Sequence, residues 1–276
     1  MNKKLIMLVF LTMLGTFAFA QIHVGFYAGV TKPLGDFGKT MSFDNATDLP
    51  NISKWALGSE KGTYGFAKTG INLGFNVTYE LASVEGLSIL GGLDFFYNNS
   101  NDDIDNYFQL IQKASVVASI DLAKSVTSTT PQYMNFPLLF GVDYEHFFTS
   151  SFGVFAQAAI GPNFRSITDC KITEEYTLSH ESTLGGSTVA YSKVESTNEY
   201  DMAVTFALKA GAGIIAWRYV TFGVDYCWLG SAKIKGKQSV KLDGRDYSSL
   251  WFEDTHFESD NAFSCSELVF KMGLRF

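Results

Sequence analysis

The chain is short of charge: only 18% of its 276 residues are Asp, Glu, Lys or Arg, where a soluble domain carries about 25%. It has 5 Pro and 3 Cys, and beyond residue 20 no apolar run of the length a membrane helix needs. The last shortage excludes helical membrane spans. Three cysteines leave at least one thiol unpaired, even in an oxidising compartment. No CxxC motif or Cys/His cluster has zinc spacing, so neither a metal nor a cofactor is expected.

The first twenty residues have the three parts of an export signal. Lys3 and Lys4 form a basic start, Leu5 to Leu14 an apolar run too short to span a bilayer, and Ala18-Phe19-Ala20 a cleavage site before Gln21. The expected organisation is therefore a cleaved signal peptide over 1–20 and one domain over 21–276. Gln21 and not Cys follows the cut, which argues against a lipid anchor. Without the two signal lysines the 21 basic residues become 19 against 28 acidic ones, about −9 in all. That balance excludes a nucleic-acid binder.

Aromatic residues are abundant, 15% of the chain with 25 Phe and 13 Tyr, alongside 25 Gly. Export, few charges and many aromatics point to a membrane. With helices excluded, the structure that satisfies its backbone hydrogen bonds in hydrocarbon is a closed barrel. Barrel strands alternate, apolar toward lipid and small or polar toward the lumen. The last strand is clearest: Leu268, Phe270, Met272, Leu274 and Phe276 share one face, while Lys271 and Arg275 lie on the other. In a soluble sandwich, the competing reading, those two charges would point into the core. Seven further runs alternate in the same way, with outward sets Ile22–Val30, Ile71–Tyr79, Leu87–Tyr97, Phe136–Tyr144, Phe152–Ile160, Val204–Ile214 and Val220–Trp228. The expected fold is all-β: a single closed antiparallel transmembrane barrel of about eight strands, connected as an up-and-down meander.

Connection lengths alternate as they do in such barrels. Short links fall near Ser83 to Gly86, Thr149 to Ser151 and Ala216 to Arg218; long ones cover about 32 to 68, 98 to 132, 165 to 201 and 231 to 262. Both termini then lie on the periplasmic side. Tyr79, Tyr144, Phe152, Tyr219 and Phe276 would form the periplasmic aromatic girdle, and Tyr97, Phe136, Tyr226 and Trp228 the outer one.

The terminal ELVFKMGLRF, with Phe270, Met272, Leu274 and Phe276 in alternation, resembles the assembly signal of bacterial outer-membrane barrels. YMNFPLLFGVDY from Tyr133 to Tyr144, with IHVGFYAGV after the signal, resembles the PorT-like outer-membrane β-barrel family. The resemblance covers strands and not loops. It implies location in the cell outer membrane, the surrounding lipid and the barrel-assembly machinery as partners, and a secretion-associated role as one option. Small OmpX-like and OmpA-like barrels are similar in strand count, but a shared fold does not transfer function.

An eight-stranded barrel is only wide enough to be filled by side chains or to hold one small ligand. The expected inward charges are Glu80, Asp94, Asp143, Glu145, Lys209, Asp225, Glu267, Lys271 and Arg275, both signs mixed, as in a lumen knitted by ion pairs. A three-residue loop at Ala216 to Arg218 would set Lys209 directly opposite Asp225, with Lys271 completing a Lys-Asp-Lys row. Cys227 and Cys265 point inward on neighbouring strands, leaving open either a cross-strand disulfide or two separate thiols; Cys170 starts a loop.

Other motifs carry less. His23, His146, His180 and His256 are scattered. His180-Glu181-Ser182 has the residue types of a hydrolase triad, but adjacent strand residues point to alternate faces, so no enzyme is expected. The acidic Asn98 to Asn106 offers oxygen ligands for calcium but lacks the central Gly and terminal Glu of an EF-hand loop. Asp105 to Val126 alternates at helical spacing and reads as an amphipathic loop helix. Ser187 to Thr197 alternates as a strand, and Asp243-Gly244 is a hairpin signal. Such ribbons offer edges for an extended peptide. The leading expectation is a non-enzymatic structural or surface-contact protein with an extracellular partner. A small-molecule channel or a secretion accessory is the alternative.

Overall fold

The computed structural model describes residues 22–39, 65, 67–100, 122–181, 187–251, 254–259 and 262–276. The expected signal peptide and its cut before Gln21 lie outside these residues. In chain order the strands are β1 (Ile22–Leu34), β2 (Gly70–Glu80), β3 (Leu87–Asn99), β4 (Leu122–Ser128), β5 (Gln132–Phe147), β6 (Phe152–Ile167) and β7 (Cys170–Glu181). There follow β8 (Ser187–Tyr200), β9 (Ala203–Ala216), β10 (Val220–Ala232), β11 (Lys235–Leu242), β12 (Arg245–Asp246), β13 (His256–Glu258) and β14 (Phe263–Arg275), with one helical turn, α1 (Ser248–Trp251).

Eight strands close into a barrel in the order β1-β14-β10-β9-β6-β5-β3-β2, and β2 pairs back onto β1. Every pairing is antiparallel and neighbours follow chain order, as a meander requires. The strands alternate because the wall has two different sides. On β14, Phe270 is 52% exposed and its neighbour Val269 is 1% exposed. The outward set continues around the wall through Phe26, Leu73, Leu93, Phe140, Ile160, Phe206 and Val224, all exposed and all apolar. The buried set includes Asn72, Asp94, Asn135, Gln157, Lys209, Asp225 and Glu267. Greasy outside and polar within is the inverse of a soluble protein, and it places hydrocarbon around the wall.

At one end the links are short. β9 and β10 are joined through Trp217 and Arg218, both at positive φ (51° and 68°), and the Tyr219 N–H donates to Ala216 O at 3.2 Å. At the other end four strands continue beyond the barrel. β6 runs on into β7 across residues 168–169, β10 into β11 across 233–234, β8 enters β9 across 201–202, and β4 enters β5 across 129–131. The barrel order β5-β6-β9-β10 is thereby repeated above the rim as β4-β7-β8-β11, with β12 and β13 added on β11. The upper sheet is half of the barrel wall prolonged, while β1, β2, β3 and β14 stop at the mouth.

The upper sheet changes one expectation. Leu122–Ser128 is a strand paired with Ile172–Leu178, and not the end of an amphipathic helix. Continuity with β5 and an available neighbour in β7 override the helical spacing of that stretch; 105–121 lies outside the described residues. The Asp243-Gly244 hairpin is present, with φ of 48° and 80° and Leu242 paired to Arg245. Ser187 to Thr197 lies in β8.

Candidate functional site in the lumen and its mouth

The lumen is filled in layers. In the middle layer the Lys271 ammonium lies 2.7 Å from Asp225 Oδ2, and Lys209 lies 3.5 Å from the same atom and 2.8 Å from Asp94 Oδ2. Tyr27 stands between them: its hydroxyl bonds Asp94, Lys209 Nζ donates to it at 2.5 Å, and both ammonium groups lie 4.6 Å from its ring centroid. Gln157 donates to Asp225 Oδ1 at 3.0 Å. A buried charge is tolerated when paired and hydrogen-bonded, and this layer supplies both. Space for the Tyr27 ring comes from Gly74, where a Cβ would lie 2.1 Å from Tyr27 Cζ.

The register differs from the one expected. Ala216 pairs with Val220, so the loop is Trp217 to Tyr219, one residue later than the expected Ala216 to Arg218. Lys209 therefore sits opposite Cys227, and Asp225 opposite Gly211. The displacement is an even number of positions, so both side chains still face inward, and a long ammonium stem spans the diagonal. The same register settles the thiols. Cys227 is opposite Glu267, so Cys265 stands a step away along β14; both are free thiols, and they and Cys170 are buried. No disulfide joins Cys227 to Cys265.

Toward the short turns the lumen opens into a vestibule of about 670 Å³ lined by His23, Glu80, Glu145, Arg218 and Arg275 among others. Arg275 is ion-paired with Glu145, and Asp143 is buried beside them. Between this vestibule and the Lys-Asp layer only about 50 Å³ remains, room for one or two waters.

The opposite mouth is sealed, and sequence reading missed the residues that seal it. A 3-10 turn, Gly35–Phe37, follows β1 and turns Phe37 down into the barrel, where it is fully buried. Its ring meets Tyr133 edge-on at 5.2 Å and Phe263 at 5.8 Å. The returning stem of the same loop locks it: Gly65 N–H donates to Asp36 O, Ala67 N–H to Phe37 O, and the Tyr133 hydroxyl to Gly65 O. Beneath lies Arg165, 2% exposed, donating to Asn135 Oδ1, Phe263 O, Leu229 O and Gly230 O. Those last two carbonyls are turned inward by a bulge in β10 between Trp228 and Ser231, with Gly230 at φ +81°. The signal was there: Arg165 and Tyr133 keep the inward parity of β6 and β5. Arg165 falls in an expected loop, and Tyr133 precedes Phe136, the first expected outward residue of its strand, because the expected strands are too short.

The remaining expected positions are dispersed. His23 is at the vestibule, His146 near its rim, and His256 on the upper sheet, with Nδ1 3.4 Å from Asp254. His180 and Glu181 are in β7, while Ser182 lies outside the described residues. Of Asn98 to Asn106, Asn98 points into the lumen and 101–106 lies outside the described residues. On the upper sheet, Glu195 bridges Lys171 and Lys193 at 2.9 Å each, and these two hydrogen bonds pull its carboxyl down to about 2. Glu258 bridges Lys233 and Lys235 and is lowered likewise.

No family model matches the chain, and no curated protein matches it. Among solved structures it is similar to Ail, the attachment invasion locus protein of Yersinia pestis, at 9% identity and TM-score 0.34, covering 93% of this chain and 97% of that one. It is similar also to Neisserial surface protein A (11%, TM-score 0.39, 92% and 97%) and to a major outer membrane protein of Thermus thermophilus (11%, TM-score 0.38, 93% and 100%). Likeness at that level settles neither family nor activity; the closed eight-stranded barrel rests on this chain's own strand pairing.

Proposed function

We propose that the chain is an integral outer-membrane protein in which a solid barrel anchors a surface-exposed half-wall, with a structural or contact role and no chemistry of its own. The observation that carries this reading is the filled lumen. A conducting path would have to cross the Phe37-Tyr133-Phe263 seal, the Arg165 hydrogen-bond cluster and the Tyr27-Lys209-Asp225-Lys271 layer in succession. Membership of the PorT-like family and a place beside a secretion apparatus belong to the same reading, on the strand motifs alone. So do cleavage before Gln21 and recognition of the terminal Phe276 by the barrel-assembly machinery.

The upper sheet supports the contact role. It raises four strands above one half of the rim and presents charged side chains from β7, β8 and β11 to solvent. Its partner would be an extracellular protein or a secretion component.

Purified protein in a planar bilayer tests the proposal. A silent membrane is expected; discrete conductance steps would overturn the anchor and favour a small-molecule channel. Migration on a gel without heating, faster than after boiling, is expected of the folded barrel extracted from the outer membrane.

A further inference from the structure

Glu267 is fully buried on β14, facing the lumen between the Lys-Asp layer and the mouth seal. Asp94 and Asp225 have lysines and Glu145 has Arg275, but among the described residues no Lys or Arg is in ion-pair contact with Glu267. Its carboxylate is reached by Thr31, and by Asn98 Nδ2 at 3.4 Å from Oε2. The same amide nitrogen also donates to Thr31 Oγ1 at 3.0 Å and Lys68 O at 3.2 Å. Glu267 Oε1 and Asn98 Oδ1 are left, both buried and both without a donor.

Two bare acceptors on two touching side chains, one of them a carboxylate oxygen, mark a place where positive charge is missing. Buried charges in proteins are paired or coordinate a metal. We infer that Glu267 Oε1 and Asn98 Oδ1 hold a hard monovalent cation of the sodium class inside the closed lumen. Carboxylate and amide oxygens are the donors hard cations take. One carboxylate brings one negative charge, which a singly charged ion neutralises; a divalent ion would leave excess positive charge above Lys209 and Lys271. The lumen below is blocked and the mouth is sealed, so the ion enters as the barrel closes.

Refolding is therefore the step to test. The mature chain is unfolded in urea and refolded into detergent in sodium chloride, or in choline chloride of equal ionic strength, choline being too large for the site. A higher unfolding midpoint in sodium is expected, the folded-to-unfolded ratio rising up to tenfold for each tenfold increase in sodium above its dissociation constant. Potassium substituting for sodium would support the inference. Glu267→Gln is expected to remove the dependence while keeping the fast-migrating unheated band. Equal wild-type midpoints in sodium, potassium and choline overturn the inference, with a proton or water in the site instead. A response to calcium alone overturns it too. Should the variant fail to refold, the wild-type salt series still decides.

Discussion

The molecule places one charge arrangement, a carboxylate between two lysines, in two solvents. In the lumen Asp225 lies between Lys209 and Lys271, with all three side chains at most 6% exposed. On the upper sheet Glu195 lies between Lys171 and Lys193, which are 46% and 40% exposed. Distances to the carboxylates are comparable, so geometry does not distinguish them. The dielectric does: exposed pairs contribute little because water and salt screen them. In the lumen each charge has given up its hydration, and removing Asp225 takes from Lys271 its carboxylate and leaves Lys209 with Asp94 alone.

Removing the central carboxylate should separate the two triads most widely. Asp225→Ala leaves two buried ammonium groups facing each other over Tyr27 and is expected to cost about 3–5 kcal/mol, read as a lowered urea midpoint of the refolded barrel or loss of the fast-migrating band. Glu195→Gln should leave that midpoint unmoved; an equal effect at both positions would break the comparison. Gly74→Val brings a Cβ into the Tyr27 ring; overpacking of this kind costs about 1–3 kcal/mol. Gly244→Val, at the open hairpin of the upper sheet where no atom lies within 4 Å, meets backbone strain without a clash and should leave the barrel midpoint unchanged.

Arg165→Met tests the seal. It strips the Arg165 donors from the Gly230 and Phe263 carbonyls, at about 1–3 kcal/mol for each acceptor left bare and buried, while Leu229 O keeps Asn163 and Thr205; the folded barrel should become more sensitive to added protease at the mouth. The smallest effect is that of pH on the upper triad. Glu195 is held at about 2, below the ordinary 4.5, so whatever the triad contributes is present above pH 4.5 and lost as pH falls through about 2. Amide exchange of β7 and β8 should accelerate over that acid range, and raised salt at neutral pH should reproduce part of it.

Alternation made the eight barrel strands legible, because a two-residue period survives wherever lipid and lumen face opposite sides of one wall. It also gave the parity of Lys209, Asp225, Glu267 and Lys271 without error. Register was less accessible. A turn displaced by one residue moved Lys209 from Asp225 to Cys227, and no pattern within β9 or β10 distinguishes the two pairings, since both keep every side chain on its face. Strand ends were hidden for a related reason. Above the rim both faces meet water or loops, the alternation fades, and β4 falls outside the expected strands; Arg165 and Tyr133, still within the wall, lie past the expected strand ends although their parity continues.

Sequence alone determined that this backbone must close on itself, with apolar side chains outward and charges within, since that follows from composition, periodicity and the cost of unpaired backbone groups in hydrocarbon. Only the tertiary structure decided that the cylinder is solid. Phe37 reaches Tyr133 and Phe263 from three distant parts of the chain, and Arg165 depends on carbonyls turned inward by a bulge 64 residues away. Whether a lumen conducts or is blocked depends on which side chains meet at one height, and that is set by register and loop return, neither of which leaves a periodic trace.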